Sequence, residues 1–299
     1  AGDSFQREFL STVDQINSIA DAIRDLNIEF RNDYRNRNDA GLNARMYAAL
    51  EELSQLVDFN ALPQDDGTMT LLFGGQAPLV IGDKVFAVTA DLSGPAKQIL
   101  DFKGDVITGQ VNHGKLKGLL ELTNNLLPYY SGELDRLAAS LADQVNAVLA
   151  GGLDLSGNPP ATALFHYDAG SGAAKTLTVT AITPEEIAAA VPGAPGGNTN
   201  ALNVAALATA PRIDGFTFSE FYGQLSAQVG RKIASAGQEE RSQSLLLSQA
   251  RYLRDMESGV NLNEEAAVLV QYQRAYQAAA QMIKTINEMT ETLLQVVMR

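Results

Sequence analysis

Between Leu262 and Val297 the apolar residues of this chain recur every seven positions, and they do so in several parallel rows. Leu262, Leu269, Tyr276, Ile283 and Val297 hold one heptad position, interrupted only by Thr290. Tyr272, Ala279, Ile286 and Leu293 hold the position three residues later. Those two rows are the seam of a helix packed against one neighbour. Val268, Ala275, Met282, Met289 and Val296 add a third row, and Ala266, Ala280 and Leu294 begin a fourth. Adjacent rows of this number cover more than half of a helical cylinder, which one neighbouring helix cannot bury. Ala275, Ala278, Ala279 and Ala280 leave room for close backbone approach. The pattern predicts a helix packed on several others, either the centre of its own bundle or a surface that seeks other chains. Periodicity does not choose between them.

The same period opens the chain. Phe9, Ile16, Ile23 and Phe30 stand seven apart, with Val13, Ala20 and Leu26 between them, which predicts a long amphipathic helix over 4–31. A second helix is expected over 44–57, carrying Met46, Leu50, Leu53, Leu56 and Val57. Then the period drops to two. Met69, Leu71 and Phe73 alternate behind the turn signal Asp65-Asp66-Gly67, and further strands are read at 79–81, 85–88 and 101–111. Helix returns from Gly118, where Leu127, Leu134, Leu141 and Val148 stand seven apart. Pro128 is either a kink in that helix or part of its first turn. Residues 157–215 are rich in Ala, Gly, Thr and Pro, with a strand expected over 176–180, a short helix from Pro184 to Ala190 and a loop over 192–200. A helix over 218–259 precedes the final one, which Asn261 is expected to cap with Glu264 as its capping-box partner.

The fold class expected is α+β, a coiled-coil-like bundle of long helices with inserted small β-rich domains. Residues 1–58, 115–152 and 216–258 are grouped as the bundle core, 59–114 as a β meander, 153–215 as an α+β insertion and 259–299 as a C-terminal assembly helix.

Composition narrows function. The chain has 299 residues, no cysteine, no tryptophan and two histidines, His113 and His166. Disulfides, thiolate metal sites and cysteine nucleophiles are thereby excluded. The histidines lie far apart, outside any His-x-x-x-His or Glu-x-x-His spacing, so no catalytic metal is expected. The formal charge of −13 argues against nucleic acid or an anionic membrane as partner. No apolar run is long enough for a membrane span, and no secretory signal opens the chain. Adjacent carboxylates at Asp65-Asp66, Glu185-Glu186, Glu239-Glu240 and Glu264-Glu265 do not converge across a cleft as glycosidase carboxyls do. No phosphate-binding or dinucleotide fingerprint is present. The reading is of a non-enzyme without a cofactor. The chain begins in mid-pattern without an initiator Met, which is read as the mark of a fragment.

The stretch SGVNLNEEAAVLVQYQRAYQAAAQMIKTINEMTETLLQ, Ser258 to Gln295, resembles the C-terminal signature of flagellar axial proteins. The match centres on Gly259-Val260-Asn261-Leu262, on Glu264-Glu265 and on the run from Tyr272 to Tyr276. GLLELTNNLLPYYSGELDRLAASLADQVNAV (Gly118 to Val148), ELSQLVDFNALPQDDGTMTLLFGGQAPLVIGD (Glu52 to Asp83) and QINSIADAIRDLN (Gln15 to Asn27) are similar to further blocks of one such family. So are segments between Leu164 and Leu202. That family is hook-associated protein 1, the junction between hook and filament of the bacterial flagellum.

The resemblance implies a secreted structural subunit that stacks in a ring and faces its terminal helices inward. The implied partners are further copies of itself, the hook protein, the second hook-associated junction protein, and a cytoplasmic export chaperone that holds the C-terminal helix. The implied assembly interface is Leu262, Leu269, Tyr272, Tyr276, Ala279, Ile283, Ile286 and Leu293. The family's long N-terminal region, with its Asn-Thr-Pro-Gly-Tyr type motif, is missing here. Two alternatives stand beside this reading: another flagellar axial protein, such as the second junction protein, or a secreted binding or adhesive module carried by residues 153–215.

Overall fold

The opening heptad forms α1 (Gly2–Asn32), and its period places Phe9, Val13, Ile16, Ala20, Ile23, Leu26 and Phe30 in a single buried stripe. The computed structural model describes the backbone of residues 2–33, 36, 39–258 and 262–297; the side chains of 2, 3, 254–258, 262–267 and 287–297 lie outside that description. The chain forms two units, 1–225 and 226–299, and its class is α+β, long helices with small antiparallel sheets.

The helix α2 (Ala40–Leu56) starts a turn before the expected Ala44, because the Asp39 carboxylate accepts the Leu42 amide at 2.9 Å and caps the helix there. It buries Met46, Leu53 and Leu56 in the same core as α1. Four antiparallel strands follow in chain order, β1 (Phe59–Pro63), β2 (Met69–Phe73), β3 (Ala77–Ile81) and β4 (Lys84–Val85). A bulge lies between Leu71 and Leu72 where β2 meets β3. Leu71, Phe73, Leu79 and Val80 turn inward and join the core of α1 and α2.

Two asparagines fasten these strands to α1. The fully buried Asn27 accepts the Met69 amide at 2.8 Å and donates to the carbonyls of Met69 and Gly82 at 2.8 and 2.9 Å. Asn17 accepts the Val88 amide and donates to its carbonyl, at 3.0 and 2.8 Å. Each amide presents a donor and an acceptor together, as a strand edge does, so backbone groups that would otherwise be orphaned are satisfied.

A two-stranded ribbon, β5 (Thr89–Asp91) with β6 (Gln98–Leu100), comes next. The strand expected over 101–111 is instead a turn and one 3₁₀ turn, Thr108–Gln110. Asp101 accepts the amides of Lys103 and Asp105 at 2.8 and 2.9 Å, and this local bonding displaces sheet pairing. The helix α3 (Gly114–Glu121) adds Leu116, Leu119 and Leu120 to the core. It runs through a wide π turn, Leu122–Leu126, into α4 (Leu127–Ala150), with Pro128 in the first turn of α4.

A second, smaller core gathers around the end of α4. Val145 and Leu149 pack with Leu207, and beside them lie Leu164, Phe165, Val204 and Phe218. Here β7 (Phe165–His166) pairs with β8 (Thr178–Val179) across the short α5 (Ala173–Thr176). The expected strand over 176–180 is shorter because Thr176 ends α5, its hydroxyl donating to the Gly172 carbonyl at 2.7 Å. The helix expected from Pro184 to Ala190 is a single 3₁₀ turn, Pro184–Glu186. Beyond it the chain extends, since the Ala188 carbonyl accepts the Asn200 side chain at 2.7 Å and the Ala190 carbonyl accepts the Leu153 amide at 2.8 Å. Asn200 belongs to α6 (Thr199–Ala206), which begins at the end of the stretch read as loop. The last two helices are α7 (Phe218–Ser258) and α8 (Leu262–Val297).

Candidate functional site

At its N-terminus α7 is well anchored. The Thr217 backbone amide donates to the Glu220 carboxylate at 2.9 Å, and the Glu220 amide returns a bond to the Thr217 hydroxyl at 3.2 Å. The Thr217 amide and then its hydroxyl hold the Glu220 carboxyl below its ordinary pKa. Phe221 and Leu225 are buried. The Arg136 guanidinium lies 5.8 Å from the Phe221 ring centre and reaches Asp214 at 2.7 Å and Glu133 at 2.9 Å. Those two carboxylates, Asp214 first, raise the Arg136 pKa, so it stays charged at any working pH.

Beyond Leu225 none of the described side chains is buried. Along α7, Ile233, Leu245, Leu246, Leu247, Tyr252 and Leu253 are exposed. The run Leu245-Leu246-Leu247 cannot face one way, because successive helical residues point about 100° apart.

On α8 the predicted rows are present and exposed. Leu269, Tyr276 and Ile283 form one row at 67%, 79% and 62% exposure, with Tyr272, Ala279 and Ile286 beside them. Val268, Ala275 and Met282 complete the third row. The predicted interface residues Leu269, Tyr272, Tyr276, Ala279, Ile283 and Ile286 thus share one continuous face, about 25 Å long at 1.5 Å per residue. The side chains of Leu262 and Leu293 lie outside the described residues, as do the Asn261 cap and Glu264. Across 268–286 only Arg274 and Lys284 carry charge, in a chain whose net charge is −13. That face can exclude water against another apolar helix, and it holds no group suited to bond-making chemistry.

Elsewhere the polar geometry is that of turns. Asp168 accepts from Ser171 and the Gly170 amide, and those bonds, Ser171 first, depress its pKa. The Tyr167 hydroxyl donates to Asp143, whose carboxylate raises the phenol's pKa. Among the described residues no three His, Cys, Asp or Glu side chains are grouped to hold a metal ion. Open depressions of about 330 and 380 Å³ flank residues 153–163; the first gathers Asp154 and Glu185, the second only Asp143 among charged groups. Among the described helices none is long and apolar enough to cross a membrane.

Comparison with known proteins gives these rows a context. The family model for the flagellar hook-associated protein FlgK helical domain matches residues 2–165, more than half of the chain. A second, for the flagellar basal body rod FlgEFG protein C-terminal region, matches residues 256–296. Flagellar hook-associated protein 1 of Salmonella typhimurium and that of Salmonella typhi are each 34% identical over 80 residues. The matched stretch is 27% of this chain and 14% of those relatives. The flagellar hook junction protein FlgK from Burkholderia pseudomallei matches at 29% identity and a TM-score of 0.48, over 56% of this chain and 32% of that one.

Proposed function

Because this chain belongs to the flagellar hook-associated protein FlgK family, we propose that it is a structural subunit joining hook to filament, and that α8 assembles it by burying its apolar rows against neighbouring subunits. The observation that carries this reading is the exposed face from Leu269 to Ile286. It lies inside the segment matched by the rod-protein C-terminal family. Burying Leu269, Tyr272, Tyr276, Met282 and Ile283 at about 1.5–3 kcal/mol each yields a gross gain on the order of 10 kcal/mol. That is comparable to the free energy lost when two chains associate, so assembly along a ring of neighbours is favoured over a single weak pair.

In this reading the protein is not an enzyme, and it works outside the cell at the hook–filament junction. Its partners are further copies of itself, the hook protein and the second hook-associated junction protein, with an export chaperone covering α8 before secretion. The small residues Ala275 and Ala279 set the closeness of packing, and Tyr272 and Tyr276 supply large, partly polar contact area.

Two experiments test it. A cell whose only copy of the full protein carries Ala279→Asp is expected to lose its filaments and its motility while the secreted subunit stays folded; swimming at the normal rate refutes the interface. Sedimentation of this chain beside one ending at Ser258 is expected to show association only in the longer chain. Two monomers there would remove α8 as the assembly element.

A further inference from the structure

The two cores of residues 1–225 are separated along the chain. Leu120 is the last residue of the larger core, which α3 shares with α1, α2 and the strands. The smaller core draws on α4 only from Leu141 onward. Between them, residues 121–137 contribute no buried side chain. The wide turn Leu122–Leu126 lies in this gap.

Its width has a local cause. Pro128 has no amide hydrogen to give to the Asn124 carbonyl, and its ring crowds that oxygen in a regular α turn. The helix instead opens, and the Leu127 amide donates to Leu122, five residues back. Such a turn is an α-helix with one residue inserted, and it leaves backbone groups less tightly paired. One side chain in it reaches out of the helix. Asn124 accepts the Lys97 amide at 2.7 Å and donates to the Lys97 carbonyl at 2.9 Å. The Lys97 ammonium in turn donates to the carbonyls of Leu92 and Gly94, at 3.0 and 3.1 Å. The helix is thus tied, through one asparagine, to the loop that precedes β6.

We propose that the wide turn Leu122–Leu126 is a joint on which the half carried by α4 pivots against the half built on α1 to α3, with Asn124 as its latch. In the junction role proposed above, on which this use of it rests, such a joint lets the subunit meet two unlike neighbours at different mutual angles of its halves without disturbing either core. Bending is confined to the turn because the larger core reaches its near edge at Leu120, while α4 beyond it is regular helix tied to the second half by the Asp135 bond to the Ala174 amide and the Arg136 bond to Asp214, and no side chain of 121–137 is buried. The inference rests on the first unit alone and stands whether or not α8 is the assembly element.

The chain lacks cysteine, so a pair introduced as Tyr47→Cys on α2 and Ala147→Cys on α4, both exposed positions, takes spin labels cleanly. In the full chain, Asn124→Ala is expected to broaden the label-to-label distance distribution and to speed amide exchange across 122–128 about tenfold, with both cores still protected. Deleting Asn125 together with Pro128→Ala, which restores the missing amide hydrogen, is expected to close the turn into a regular α-helix, narrow the distribution and leave the melting temperature nearly unchanged. Deleting Asn146 is the contrast: one residue lost between Val145 and Leu149 turns Leu149 by about 100° out of the face they share. That variant is expected to lose the smaller core. An Asn124→Ala distribution that superimposes on the parent's overturns the latch. A combined Asn125 deletion and Pro128→Ala as damaging as the Asn146 deletion overturns the joint.

Discussion

Two helices of this chain carry the same seven-residue repeat and meet opposite fates. In α1, Phe9, Ile16 and Ile23 have no exposed surface at all, while in α8, Leu269, Tyr276 and Ile283 are each exposed over more than 60% of theirs. The repeat specifies a sticky face in both. What differs is the surroundings: α1 is met by α2, α3 and the strands β2, β3 and β6 of its own unit, whose buried side chains form one continuous core with it. A heptad is therefore a statement about surface to be buried, and it leaves open whose surface completes it. A second difference supports this. The polar positions of α1 are matched to particular backbone groups by Asn17 and Asn27, while α8 between 268 and 286 offers chiefly glutamines and two cations around its apolar rows. A face that meets one fixed partner is provided with specific bonds. A face that meets successive neighbours relies on shape and apolar area.

The most damaging way to test the contrast is to place the same charge in each helix. Ile16→Asp puts a carboxylate in a fully buried site and is expected to cost more than about 4 kcal/mol, enough to unfold most of the first unit. Ile283→Asp is expected to leave thermal unfolding of that unit within about 0.5 kcal/mol of the parent while abolishing association of the full chain. Thermal melts and sedimentation of the two variants give both answers. Equal loss of stability in the two would mean that α8 is buried within its own chain.

A smaller effect separates the polar grips. Asn27→Ala removes the side chain that pairs with Met69 and Gly82. Those half-buried backbone groups lose their side-chain partner, at a cost of about 1–2 kcal/mol in urea unfolding. Gln273→Ala on α8, an exposed position, is expected to change stability by less than about 0.5 kcal/mol. A stability change under about 0.5 kcal/mol for Asn27→Ala would show that the strands hold to α1 by apolar contact alone.

These residues also mark how far the sequence could be read. The rows on α1 and α8, the turn at Asp65-Asp66-Gly67 and the alternation through Met69, Leu71 and Phe73 were all legible, because hydrophobic period and turn chemistry are local signals. The Asn27 grip was not, since its partners lie 42 and 55 residues away. An asparagine beside Leu26 in an otherwise apolar stripe was the one available hint. The extended segment after Glu186 was missed for the same reason: Asn200 and Leu153 take the Ala188 and Ala190 carbonyls that a local helix would have used. The exposure of α8 was legible only as excess, a face too wide for one neighbour.

Glycines sharpen the comparison at the next level. Gly114 sits at φ +83°, and a Cβ there would lie 2.6 Å from the carbonyl of Leu56, so the close approach of α3 to the end of α2 needs the bare backbone. Gly114→Ala is expected to cost about 2 kcal/mol. Gly230 lies in α7 with nothing within 4 Å of its would-be Cβ. There the same substitution is expected to strengthen the helix by about 0.5–1 kcal/mol. Opposite signs in a paired denaturation experiment fit a tight first unit and an open second one. A loss at Gly230 would place another helix against that face.

The smallest effect lies where the tightly packed unit gives way to the exposed one. Glu220 caps the start of α7 through Thr217, and its pKa is lowered from the ordinary 4.5 chiefly by the Thr217 amide. A depressed carboxylate contributes stability that is fully present above its unfolded pKa and is lost as pH falls through the folded one. The capping contribution is therefore intact at neutral pH, begins to fall below about pH 4.5 and is gone only once the pH has passed below the lowered folded value. Since the group is exposed, the loss is expected to appear as fraying of the first turn of α7, without global unfolding. Amide exchange at 218–221 between pH 6 and about pH 3 reads it, after correction for the intrinsic rate. In Glu220→Gln the carboxamide can still accept the Thr217 bond without titrating, so its protection is expected to be independent of pH over that range. If the parent chain behaves the same way, α7 is held by Phe221 and Leu225 on the packed side, and the cap contributes nothing measurable to where the packed unit ends.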